Sequence, residues 1–552
     1  MKLNKADAVV IGAGAAGGVV AKELCSAGLR VVLIERGPQL NVEEFRFHDE
    51  LAARSAGPPN PGWKPPDRRQ PREFRNQGSA GFRVIYPQDG SYAWMGGAVG
   101  GGQINYAGLM WRRPPGDFRM KTTYGHVAGT TIDDWPLSYY DLEPFYERAE
   151  YELGVSGEAG VNPFEGRRNK PFPLPPVGLT PGDERVREAA RRLGYHPFTV
   201  PLGILTRGYK GRNACIQHPC CNGYVCEVGA KSTVVSALLP VALATGNLRL
   251  VTESMVKEIT VDSRGRPDGV LYFDTNLRLV RQPARIIIVA ASATETPRLL
   301  LNSSSRWFPK GLANSSGWVG RNLMGHISPQ VFGMFDTVTN PGIGPGAGIA
   351  VDDFHGKIPG LVGGGVIYSR SDIMPINFND YRPEGAPMWG KEHKKYQREN
   401  FHKYYRLTSP AEDLPQFENR VEVSPAVRDA WGIPVARITH SYHPKDLELF
   451  EFLRVRMQEI LREAGAREFY FNNPGKGRVS VHQNGTCRMG ADPKTSVVNR
   501  YGQSHDADNL FMPDSSCFVT SGGRNPVLTI QALAYFASDY IVRQWNGGAW
   551  RK

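Results

Sequence analysis

The chain has 552 residues, 41% of them apolar and 22% charged, with a formal net charge of +12. That length holds several ordinary domains or one large interwoven body, and the balance is that of a globular protein, which excludes bulk disorder. No apolar run reaches the roughly 18 residues of a membrane span. The basic residues, clustered only near Arg68-Arg69 and Lys394-Lys395, come with no nucleic-acid motif, so no nucleic-acid partner is expected.

The N-terminus runs almost directly into Ala8-Val9-Val10-Ile11. It has no apolar signal region followed by a small-residue cleavage site, so no signal peptide is expected. That leaves a cytoplasmic protein or one exported in company with a partner. Residues 6–36 read as strand, glycine-rich turn, helix and strand, a βαβ unit built on Gly12-Ala13-Gly14-Ala15-Ala16-Gly17. Residues 50–90 are rich in Pro, Gly and Arg and predict a long surface excursion. A Gly-dense stretch covers 94–108, and helices are expected over 137–154 and 181–194. Strands follow at 248–251, 257–261, 269–273 and 284–290, and a helix begins over 295–302. Short strands among Gly and Pro, with little helix, make 331–440 an antiparallel sheet. The spacing of Leu447, Phe450, Leu453, Met457 and Ile460 predicts a helix over 444–464 that Gly465 ends. A last helix covers 531–545.

The first turn carries the clearest chemistry. Gly12 allows the tight turn, Gly14 lets a pyrophosphate approach the backbone, and Gly17 lets helix and strand pack closely. The helix N-terminus offers unpaired N–H groups and a positive dipole end to phosphates. Glu35 ends the second strand, where an acid accepts hydrogen bonds from ribose hydroxyls. The motif alone leaves NAD and FAD open.

Three further segments decide the family resemblance. They are Gly100-Gly101-Gly102-Gln103-Ile104-Asn105-Tyr106-Ala107-Gly108, His482-Gln483-Asn484-Gly485-Thr486-Cys487-Arg488-Met489-Gly490, and Ser521-Gly522-Gly523-Arg524-Asn525-Pro526-Val527-Leu528-Thr529. With the N-terminal unit, these resemble the glucose–methanol–choline oxidoreductases, nearest to the bacterial sugar dehydrogenase flavoprotein and pyranose oxidase-like branch. The resemblance implies an α/β protein with a Rossmann-like FAD-binding domain assembled from 1–115, 210–330 and 475–552. A substrate domain with a mostly antiparallel sheet would take 116–209 and 331–474. It implies FAD contacts from Gly12, Gly14, Ala15, Ala16, Gly17, Glu35 and Arg36, then Gly101, Asn105, Tyr106 and Ala107. Val256 would lie near the adenine, and Asp514, Pro526 and Val527 near the flavin.

Alcohol oxidation by a flavin needs a base for the hydroxyl proton, and histidine suits that role near neutral pH. Carried over from the resemblance, His482 is that base, and Asn525 hydrogen-bonds the substrate oxygen. An Asn-Pro before a helix also reads as a turn and N-cap. Asn105 stands where some relatives carry a histidine bonded to the flavin, so FAD is expected to be non-covalent. The other eleven histidines stay unassigned.

Seven cysteines are too few for a disulfide scaffold, yet Cys215, Cys220, Cys221 and Cys226 crowd one stretch. The resemblance implies iron–sulfur ligands here, serving an external electron acceptor. Buried structural thiols and local disulfides stay open beside that reading, and His218 departs from the pattern. The expected activity is FAD-dependent oxidation of a sugar, glycoside or polyol alcohol, with a small subunit and an electron-transfer partner possible in the assembly. A peroxide-forming carbohydrate oxidase is the alternative, and a non-catalytic FAD scaffold a more distant one.

Overall fold

The computed structural model describes residues 3–40, 70–86, 96–218, 221–340, 342–356, 358–370, 375–378, 385–472 and 480–551. Strand β1 (Ala6–Ile11), helix α1 (Ala15–Ser26) and strand β2 (Val31–Ile34) form the expected βαβ unit. Both strands are wholly buried, as near-continuous apolar runs in a parallel sheet should be. They pair in parallel, with Val9 opposite Val32. Leu248–Val251 extends the sheet beyond β2, and Leu279–Val289 flanks β1 on the other side.

Leu279–Val289 spans two structures because of its length. Its second half, from Ala284, runs parallel to β1, while Leu279 to Pro283 pairs antiparallel with Pro267–Phe273. Met255–Val261 completes that meander, and Leu510–Phe511 adds a parallel neighbour late in the chain. The result is a seven-stranded sheet closed by distant segments. One face is covered by α1 packed on the final helix, Val527–Asn546, which packs in turn on Tyr139–Leu153.

Local signals set the helix ends. Ser138 and Asp141 form a reciprocal capping box before Tyr139–Leu153, and Thr180 and Asp183 do so before Pro181–Arg192. Such caps contribute about 1 kcal/mol each. Tertiary packing, however, moves one of these helices. Tyr139–Leu153 was expected with the substrate domain, but its Leu142, Tyr146, Ala149 and Leu153 bury into the core of the nucleotide sheet. The domain boundary expected at 116 therefore does not follow the core.

A second sheet has six antiparallel strands in the order Glu468–Phe471, Gln330–Met334, Tyr404–Thr408, Ile367–Arg370, Ile349–Val351, Pro197–Thr199. This is the sheet expected within 331–440, widened by strands from outside that range. Helix Pro444–Glu463 packs behind it through Phe450, Leu453, Met457 and Ile460. Leu447, expected on that face, is 41% exposed, and Leu449 is buried instead. The stretch also holds a helix, Gly390–Asn400, that its composition did not suggest.

A third sheet corrects the reading of 50–90 as surface excursion over the part that is described, residues 70–86. Arg72–Arg75 pairs in parallel with Pro434–Thr439 and antiparallel with Arg83–Ile85. Buried Phe74 and Ile85 join Val421, Ala436 and Ile438 in one apolar cluster. The rest of that region, residues 50–69 and 87–90, lies outside the described residues.

Candidate active site

The C-terminal ends of β1 and β2 open into a cavity of about 620 Å³ that runs from the first turn to the six-stranded sheet. This is the crevice where parallel α/β sheets bind ligands, and its size is ordinary for a cofactor site. Gly14, Ala15 and Ala16 line one end. The N-terminus of α1 has no side-chain cap, so its N–H groups and dipole are available to an anion. Gly17 does not line the cavity. A Cβ there would lie 1.8 Å from the carbonyl oxygen of Gly12, so its role is close packing of helix on turn.

Glu35 reaches back from the end of β2. Its two oxygens accept N–H bonds from Ala13 and Gly37, each at 2.9 Å, and burial raises its pKa. Each oxygen keeps a second lone pair for a ribose hydroxyl. Arg36 lies 3.7 Å from Glu295. Burial works against the Glu295 charge, but Arg298, Arg72 and Arg36 together hold its carboxyl well below the usual range. Val256 and Gly101 line the same end. Uncapped helix, acidic strand end and glycine-lined wall fit the adenosine and pyrophosphate of FAD.

Asn105, Tyr106, Ala107, Asp514, Pro526 and Val527 line the same cavity. Tyr106 donates its hydroxyl to the Ser232 carbonyl at 2.5 Å. The Asp514 carboxylate braces its surroundings, accepting from Ser292 N–H at 2.7 Å, Thr296 Oγ1 at 2.8 Å and Ser516 N–H at 2.9 Å. Pro526 is the N-cap of the final helix, which has no side-chain cap, so a second helix N-terminus meets the cavity.

His482 and Asn525 line the far end together. Asn525 Nδ2 lies 3.2 Å from His482 Nε2, and Trp111 Nε1 donates to Asn525 Oδ1 at 2.9 Å. The Asn525 side chain is therefore engaged in the site and not spent on capping. On the other side of the ring, His482 Nδ1 lies 2.9 Å from His326 Nδ1. Burial first, then the charge of Arg370, pushes the His482 imidazole down to about 4, so it is neutral at physiological pH. Opposite stand Tyr368, Arg370, Arg406 and Thr408 from two adjacent strands of the six-stranded sheet. Tyr368 faces Thr408, and Arg370 faces Arg406, on one side of the pleat.

The sequence family described as GMC oxidoreductase matches residues 6–328 with its N-terminal part and 415–534 with its C-terminal part. The chain is a GMC oxidoreductase. It is similar to the gluconate 2-dehydrogenase flavoprotein of Pantoea cypripedii, at 29% identity over 99% of this chain and 94% of that one. It is also similar to the 2-methyl-1,2-propanediol dehydrogenase of Mycolicibacterium austroafricanum, at 33% identity over 98% and 96%. In fold it matches the crystal structure of pyridoxine 4-oxidase from Mesorbium loti, with a TM-score of 0.62 and 18% identity over 98% and 99% of the two chains. The oxidoreductase is thus a flavoprotein enzyme of CH–OH donors, from a family that generally binds FAD.

Sequence reasoning missed Trp111, His326, Arg370 and Arg406. Alternation carried a signal for the arginines: Tyr368-x-Arg370 and Arg406-x-Thr408 put charge on the inward face of a strand. His326 carried none beyond its residue type. The cysteine loop is not assembled as expected. Among the described residues no group of three or more His, Cys, Asp or Glu side chains could hold a metal ion. Cys220 lies outside the described residues. Cys215, Cys221 and Cys226 all pack against apolar clusters flanking the loop. The described side chains do not fit an iron–sulfur cluster.

Proposed function

We propose that this oxidoreductase uses non-covalent FAD to oxidise an alcohol group on a sugar, glycoside or polyol, and hands the electrons to an external acceptor. One observation carries the reading: His482 and Asn525 meet, 3.2 Å apart, in the wall of the cavity whose other end is the uncapped turn of α1. FAD, when bound, supplies the hydride acceptor.

The chain's own residues do the rest. A neutral His482 offers Nε2 to the substrate hydroxyl and takes its proton. Asn525 donates from Nδ2 beside it, holding the oxygen in reach of the imidazole. Trp111, 1% exposed, fixes the amide that does so. The six-stranded sheet closes the site over the substrate, and Thr408, Tyr368 and Gln330 add polar groups suited to a polyhydroxylated molecule. Asn105 has no group able to bond a flavin carbon. The cysteine loop enters as packed thiols, and iron with acid-labile sulfide at flavin stoichiometry in anaerobically purified protein would restore the cluster reading.

The test is anaerobic bleaching of the bound flavin by glucose, fructose, gluconate, methyl glycosides, glycerol and simple alcohols. Sugars or polyols should bleach it fastest. Bleaching by none of them, or only by simple alcohols, would sink the substrate class, and stoichiometric peroxide under air would make oxygen the acceptor. His482→Ala should abolish substrate-driven reduction while FAD stays bound.

A further inference from the structure

We propose that His326 is a positioning residue that keeps the proton of His482 on Nδ1 and so leaves Nε2 bare toward the cavity. This rests on His482 acting as the base. A neutral imidazole carries one N–H, and only the nitrogen without it can accept a proton. An isolated histidine at this place would divide itself between two tautomers. The surroundings of His482 do not permit that division.

The backbone brings the two rings together. Met324 and Asn484 exchange both backbone hydrogen bonds, at 3.0 and 2.9 Å, as an isolated antiparallel bridge. Two residues along in opposite directions, His326 falls opposite His482. Gly325 allows the approach, since a Cβ there would meet Ser480 at 3.0 Å. The segment is held from behind. Gly325 N–H donates to Asp413 Oδ2 at 2.6 Å, and Tyr442 donates its hydroxyl to the His326 carbonyl at 3.3 Å. The rings meet edge to face, with centroids 5.0 Å apart.

The polarity of the network can then be read from each end. At one end, the indole N–H of Trp111 is a donor only, so the Asn525 atom 2.9 Å from it is the oxygen. The amide NH₂ therefore faces His482, and Nε2 at 3.2 Å must accept. The His482 proton then sits on Nδ1 and donates to His326 Nδ1 at 2.9 Å. At the other end, His326 Nε2 lies 3.5 Å from the carbonyl oxygen of Ser521, which can only accept. The His326 proton is therefore on Nε2, and its Nδ1 is bare. Both ends give the same assignment independently. His326 is 1% exposed, so no water competes for that bare nitrogen. As His482 takes a proton, its Nδ1–H bond to His326 becomes charge-assisted and shortens.

The experiment compares His326→Leu, which removes the acceptor at similar volume, with His326→Gln, whose amide oxygen can accept the same N–H. Flavin reduction is followed by anaerobic stopped flow with the best donor of the bleaching panel, and ¹⁵N-histidine spectra report which nitrogen of His482 carries hydrogen. His326→Leu should slow reduction at saturating donor by about 100-fold or more, within the range of general-base and tautomer effects. Its donor affinity should hardly change. His326→Gln should recover to within about tenfold of the parent, the gap a modest geometric error leaves. In the parent, the spectra should show hydrogen on Nδ1. Equal slowing by both variants would assign His326 a structural role only, and parent-like rates in both would remove any role. Hydrogen on Nε2 in the parent overturns the inference without any variant, even if the leucine protein fails to fold. Rapid reduction by His482→Ala would instead bring down the base assignment itself.

Discussion

The glycines of the first turn allow fold and cofactor binding to be perturbed separately. In Gly17→Ala, the new methyl would sit 1.8 Å from Gly12 O, against roughly 3.5 Å for a comfortable contact. The obstacle is backbone, so α1 must withdraw by more than about 1 Å, at an overpacking cost of about 1–3 kcal/mol. N–H bonds to a pyrophosphate work over about 2.7–3.2 Å, so that withdrawal breaks them. Two charge-assisted bonds at about 1.5–3 kcal/mol each amount to a loss of about 10²–10⁴-fold in FAD affinity. Gly14→Ala differs. A Cβ at Gly14 meets nothing within 4 Å, and its backbone is extended, at φ −79° and ψ −162°. The apoprotein should keep its stability to within about 0.5 kcal/mol, while the methyl at the cavity wall obstructs the cofactor. The assay is the ratio of flavin to protein absorbance on purification, FAD titration of the stripped protein, and its thermal midpoint without FAD. Gly17→Ala should lower occupancy and midpoint, Gly14→Ala occupancy alone. Parent-like FAD affinity in Gly14→Ala would refute the placement of the pyrophosphate at this turn.

Other consequences can be measured directly. Acid precipitation should release all yellow colour into the supernatant, because Asn105 cannot hold the flavin; colour in the pellet would contradict this. With His482 held at about 4, its base form is present above that pH. The rate of flavin reduction should therefore be flat between about pH 6 and 8 and fall only as the pH drops toward 4. Arg370→Met removes the lesser of the two causes, so the acidic limb should move upward but stay below that of a free histidine; an unmoved limb would show that Arg370 does not act on the base. Glu150 accepts from Arg112 Nη2 at 2.7 Å and from Arg168 Nη1 at 2.8 Å, fully buried. Glu150→Gln should cost about 3–5 kcal/mol, seen as a lower thermal midpoint, while folded protein reduces its flavin at the parent rate.

Much of the nucleotide end was legible in sequence because its chemistry is local. A strand, a turn of fixed glycines and the acid that ends the next strand lie within about thirty residues, and backbone geometry alone joins them. The stripe of Phe450, Leu453, Met457 and Ile460 was legible for the same reason: it is set by neighbours within a turn or two. His482 and Asn525 were reached through matched motifs, since neither periodicity nor spacing marks a base.

What the tertiary structure alone decided is everything that depends on distant segments meeting. Helix Tyr139–Leu153 reads as an ordinary amphipathic helix, but only the apolar surface of Val527–Asn546 determines which core it joins. Arg72–Arg75 has too little pattern to be a strand until Pro434–Thr439 supplies its hydrogen bonds. Trp111 and His326 are 414 and 156 residues from the partners they orient. The proton position on an imidazole is set by the donors and acceptors within about 3 Å of it, and a linear sequence does not say which those are.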